Sequence, residues 1–94
     1  MADVPLQNER ERFDSVGFDF LITDLELGTT LARIAAKSGS DPQKRTRNVQ
    51  NARRAYDVVG QLASRAMLSG AQRIELDDKA EGLKSELEEL GEVF

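Results

Sequence analysis

Between Asp41 and Leu68, apolar residues return at intervals of three and four: Val49, Ala52, Tyr56, Val59, Ala63 and Ala66, widened by Ala55, Leu62 and Met67. That period places them on one face of an α-helix and is incompatible with the alternation of a half-buried strand. The other face carries Arg47, Gln50, Asn51, Arg54, Gln61 and Arg65. Asp41 followed by Pro42 marks the start, since an Asp side chain accepts from the free amides of the first turn and Pro has no amide to lose there. Many of the inward residues are alanines, so neighbouring helices can approach closely, and this segment is expected to form the middle layer.

The flanking segments read as helices too. From about Ser15 to Lys37, one apolar face comprises Phe18, Leu21, Ile22, Leu25, Gly28, Ala32, Ala35 and Ala36, and a second comprises Phe20, Leu27, Leu31 and Ile34. A helix apolar on two sides is covered on two sides. Ser38-Gly39-Ser40 ends it, with Gly39 expected in the left-handed position. Ser69 and Gln72 have the spacing of a capping box, which opens a third helix at Gly70 with the stripe Leu76, Ala80, Leu83, Leu87 and Leu90. Gly91 closes it, and Val93-Phe94 is expected to fold back as an apolar contact. No account is found for Ile74, which lies off the stripe.

The short connections force antiparallel neighbours. Folding at the first loop brings Gly28 opposite Ala52 and Gly60 opposite Phe20. Folding at the second brings Val59 opposite Ala80, Tyr56 opposite Leu83 and Val49 opposite Leu90. The apolar stripes agree along both pairs. The expected fold is therefore an all-α, up-down-up antiparallel three-helix bundle with helices about 15–37, 42–68 and 70–90. Residues 1–12 form a flexible N-terminal arm, which Gln7 to Phe13 could convert into a longer first helix, and residues 13–94 form a single domain.

A chain of 94 residues without cysteine or histidine offers no disulfide, no thiolate or imidazole chemistry and none of the usual zinc sites. No signal peptide is legible at the N-terminus and no apolar run is long enough for a bilayer, so a cytoplasmic protein without a membrane segment is expected. Glu81 with Glu88, or Glu86 with Glu89, lacks converging ligands from another element and reads as a solvated face rather than a metal site. Asp24, on a largely apolar part of the first helix, is the one carboxylate placed for acid–base chemistry, but a second partner group is missing. Neither catalytic residues nor a cofactor or small-molecule substrate is expected.

Charge is strongly segregated. Residues 1–40 carry seven acids and four bases, residues 41–73 two acids and seven bases, and residues 74–94 eight acids and two bases, within a net charge of −4. The basic block could hold a polyanion through Arg47, Asn51, Arg54 and Arg65. The antiparallel register, however, sets 44–54 beside the glutamates of 84–94, so neutralisation within the fold is the stronger reading, and nucleic acid ranks second to protein as a partner. Ala52-x-x-Ala55-Tyr56 within a long helix resembles tetratricopeptide and microtubule-interacting-and-trafficking modules. The resemblance implies an architecture whose helix grooves receive a peptide helix. The sequence thus points to a small non-enzymatic interaction or scaffolding module. Phe20, Leu27, Leu31 and Ile34 are its partner-binding face, and a protein partner or a second copy making a homodimer is the expected cover.

Overall fold

A computed structural model describes the backbone from Asp3 to Phe94 and side chains from Gly17 onward. It contains three helices, α1 (Asp3–Ala36), α2 (Pro42–Ala63) and α3 (Gly70–Glu89). α2 folds back antiparallel to α1, and α3 turns again. The ion pairs Glu26–Lys79 and Arg33–Glu86 join residues at one constant offset, so α3 runs in the direction of α1. The architecture is the up-down-up three-helix bundle.

Local chemistry sets the helix ends. Asp41 Oδ1 accepts from the Lys44 amide at 3.0 Å, with Pro42 in the first turn. At α3 the capping box is complete: Ser69 Oγ accepts from the Gln72 amide and Gln72 Oε1 from the Ser69 amide. Gly91, at φ +99°, ends α3 in a Schellman motif, with the Glu92 amide on the Leu87 carbonyl and the Gly91 amide on the Glu88 carbonyl, each at 3.0 Å.

Three boundaries differ from the sequence reading. α1 starts at Asp3 rather than near Ser15, because the backbone continues as helix through the segment Gln7 to Phe13. The expected flexible arm, residues 1–12, falls outside the residues whose side chains are described. α2 stops at Ala63, not Leu68. Its last carbonyls are taken by side chains, Gln61 O by Ser64 Oγ at 2.7 Å and Ala63 O by the Arg73 guanidinium at 3.3 Å, while Arg65 and Ala66 make tighter i→i−3 bonds. Gly39 is not left-handed. Ser38 finishes α1 instead, its hydroxyl donating to Ile34 O at 2.6 Å and its carbonyl accepting from the Asp41 amide.

The core combines Leu21, Leu25 and Ala32 of α1 with Ala52, Val59 and Ala63 of α2 and Leu76, Leu83 and Leu87 of α3. α2 contributes mainly alanine, and the large volumes come from its neighbours. The middle position belongs to α1, not to α2: α1 packs extensively against both partners, whereas α2 and α3 touch least. Between α2 and α3 lies a groove of about 600 Å³, lined by Gly60, Ala63 and Ala80 together with Tyr56, Val59 and Leu76.

All three helices meet at Gly28. A Cβ there would lie 2.8 Å from Leu83 Cδ2, 3.1 Å from Ala55 Cβ and 3.5 Å from the Ala52 carbonyl oxygen. This confirms the expected approach of Gly28 to Ala52. The other proposed small-residue pair does not pack: Gly60 has nothing within 4 Å of its Cβ position and Phe20 is exposed.

Gly28 and Gly82 therefore respond oppositely to alanine. A helix interior gains about 1 kcal/mol from Gly→Ala. At Gly82, where nothing lies within 4 Å, the gain is expected in full. At Gly28 it is outweighed by overpacking of about 1–3 kcal/mol against fully buried Leu83 and the methyl of Ala55 on α2. Urea titrations of the two variants should give midpoints on opposite sides of the parent.

Candidate interaction surfaces

Among the described residues nothing covers the crest of the second apolar face of α1. Phe20 is 56% exposed, Leu27 53% and Ile34 37%. They recur every seven residues, which on a helix keeps them in one row with only about 20° of drift per step. Leu31 departs from the sequence expectation. It is half-buried and packs on the core, forming the inner edge of the strip rather than its crest. Thr23 and Thr30 lie exposed between the large residues. The Thr30 hydroxyl donates to the Glu26 carbonyl at 3.1 Å, so its proton is already satisfied within the helix. On the α3 flank, Glu26 holds Lys79 at 3.4 Å and Arg33 holds Glu86 at 3.0 Å. The strip is thus apolar along its crest and charged along one margin.

The basic block divides into two groups. Arg45, Arg53 and Arg73 serve the fold. Arg45 donates to the Leu90 carbonyl at 3.3 Å and Arg73 caps α2. Arg53 gathers the tail beyond the Gly91 turn: its Nη1 reaches Glu92 Oε1 at 3.3 Å and Val93 O at 2.9 Å, its Nε reaches Asp57 Oδ1 at 3.3 Å, and its guanidinium carbon sits 3.9 Å from the Phe94 ring centroid. Phe94 also meets Tyr56 edge-on, centroids 5.0 Å apart. Of the expected tail contact, Phe94 docks while Val93 stays exposed. The glutamates answer the block only in part, since Glu92 pairs with Arg53 but Glu86 turns to Arg33 of α1.

The second group is the candidate polyanion site. Arg47, Asn51 and Arg54 are exposed and share a face of α2, and none makes an ion pair or side-chain hydrogen bond among the described residues. Arg65 does not join them on the helix, because α2 has ended at Ala63. Among the described residues no cluster of three or more potential metal ligands is found. A cavity of about 380 Å³ between α1 and α3 is lined by Glu26, Thr29, Arg33, Lys79 and Glu86, but not by Asp24. Asp24 is half-buried on α1 with no second catalytic group brought to it among these lining residues. Ile74 remains exposed, and nothing in the structure explains it.

The Arg53 cluster was missed by sequence reasoning. Its only forward signal is the position of Gly91, which turns the chain back toward α2; nothing marks Arg53 among seven similar bases. Arg53→Ala should release the tail at a cost of about 1–2 kcal/mol, from a lost cation–π contact and charge-assisted hydrogen bonds. Tyr56 is the only tyrosine and the chain has no tryptophan, so its emission reports the undocking directly.

Among the described residues no helix is long and apolar enough to cross a membrane. No protein family matches the chain, and neither a curated protein nor a solved structure matches it. The likeness of Ala52–Tyr56 to tetratricopeptide and microtubule-interacting-and-trafficking modules therefore rests on those residues alone, and what the comparisons leave standing is a small all-helical domain.

Proposed function

We propose that the chain is a non-enzymatic protein–protein interaction or scaffolding module of the cytoplasm that docks another helix on the outward face of α1. The observation that carries this reading is the row Phe20, Leu27 and Ile34, large side chains left exposed by a fold that buries Leu21, Leu25, Ala32 and Ala35 of the same helix. Burial of a large apolar side chain contributes about 1.5–3 kcal/mol, roughly half of which is still to be gained at a half-exposed position. Three in line suffice for a weak site once association costs are met, and an amphipathic helix is the partner whose own repeat matches a seven-residue row.

The test is a comparison of the parent chain with the double variant Phe20→Glu/Leu27→Glu, each immobilised and challenged with the same cell extract. Both positions are only half exposed, so the variant should lose about 1–3 kcal/mol of stability yet stay folded, which an unchanged helical circular dichroism spectrum checks. The expected result is a protein retained by the parent and lost by the variant. Retention of the same proteins by both would move the binding surface elsewhere.

One observation favours a second reading, polyanion binding: Arg47 and Arg54 meet no carboxylate among the described residues. That reading requires retention on heparin at low salt, falling steeply as salt rises and lost in Arg47→Ala/Arg54→Ala. The docking of the α3 tail on α2 and the acidity of α3 support the expectation of no retention.

A further inference from the structure

We infer that the occupant of the α1 strip is a second copy of the same strip, lying antiparallel, with a two-fold axis passing near Leu27. The inference rests on reading the strip as a docking face and adds the identity and orientation of what covers it.

Two independent patterns support it. An isologous interface must be complementary to itself under a half-turn. The apolar row has that property: Phe20 and Ile34 stand seven residues to either side of Leu27. A half-turn about Leu27 lays Leu27 on the other copy's Leu27 and each Phe20 against the other copy's Ile34. The charges show the matching antisymmetry. Asp19, Asp24 and Glu26 precede the midpoint, and Arg33 and Lys37 follow it. Antiparallel copies set the acidic half of one helix against the basic half of the other. Asp19 and Lys37, both exposed and neither in an ion pair among the described residues, come within a turn of each other at both ends of the contact. Parallel copies would instead set Asp19 beside Asp24 of the other helix, twice over, a repulsive arrangement. Close to the axis the two Glu26 carboxylates approach, but each is already held by its own Lys79.

Arg33, bonded to Glu86, and Glu26, bonded to Lys79, lie along the margin where α3 meets α1. A second copy can therefore settle on the crest without displacing α3. The contact consists of three large side chains per copy, edged by Leu31 and the two threonines. It is at the small end for a stable interface, and reversible association in the micromolar range is expected.

The chain contains no cysteine, so single-cysteine variants report the geometry cleanly. Sedimentation of the parent at about 500 µM, well above a micromolar dissociation constant, should show a dimer, and Leu27→Glu at the same concentration a folded monomer of unchanged helical circular dichroism. Under mild oxidation Leu27→Cys should link to itself in high yield. Phe20→Cys and Ile34→Cys should each stay unlinked alone and form the mixed dimer when combined. A parent that sediments as a monomer overturns self-association; the docking reading stands or falls separately on whether the extract protein is retained. Self-linking of Phe20→Cys as efficient as that of Leu27→Cys overturns the antiparallel arrangement.

Discussion

Gly28 is the point on which the bundle closes. Three helices can come together there because one of them has no side chain, and the space is filled by the end of Leu83 and the methyl of Ala55. Protein interiors are packed too densely for such a site to relax when enlarged. The alanines of α2 and the leucines of α3 follow from the same constraint: a close α1–α2 approach needs small residues on α2, and the remaining volume must then arrive from the third helix. That division of labour explains why α1 is the middle element. It supplies both the close approach to α2 and the apolar groove that accepts Leu76, Leu83 and Leu87.

The features legible in the sequence are those set by local chemistry. Asp41-Pro42 and Ser69/Gln72 start helices where they do because each satisfies orphan amides within its own turn, and no distant residue is consulted. The leucine stripe of α3 was likewise readable from its spacing alone. Misreadings occurred where a distant group decides. The apolar period of α2 runs on to Leu68, yet the helix stops at Ala63, whose carbonyl accepts from Arg73 of the next helix as well as from the Ala66 amide. Gly39 and Gly91 look alike in sequence, but only Gly91 needs a positive φ, because the Ser38 hydroxyl already closes α1.

The same distinction runs through the surface. That α1 has two apolar faces follows from period alone, and Phe20, Leu27 and Ile34 do face outward. Leu31, between the two faces by angle, could have belonged to either, and packing drew it inward. Among the arginines composition gives no ranking at all. Whether a guanidinium is structural or free depends on which carbonyl or carboxylate the tertiary fold carries to it. Arg53 is engaged by a tail some forty residues away, while its neighbour Arg54 is exposed.

The acceptors chosen by the structural arginines matter for how the molecule behaves outside dilute buffer. Arg45, Arg53 and Arg73 each donate to a peptide oxygen, of Leu90, Val93 and Ala63 respectively. A carbonyl is a dipole held in place by the backbone rather than a mobile counter-charge, so dissolved ions compete for it far less than they compete for an exposed carboxylate. Each junction tying α2 to α3 and its tail therefore includes a charge–dipole hydrogen bond that salt weakens less than the exposed Glu26–Lys79 and Arg33–Glu86 bridges, whereas the Arg53–Glu92 and Arg53–Asp57 pairs are screened as those bridges are.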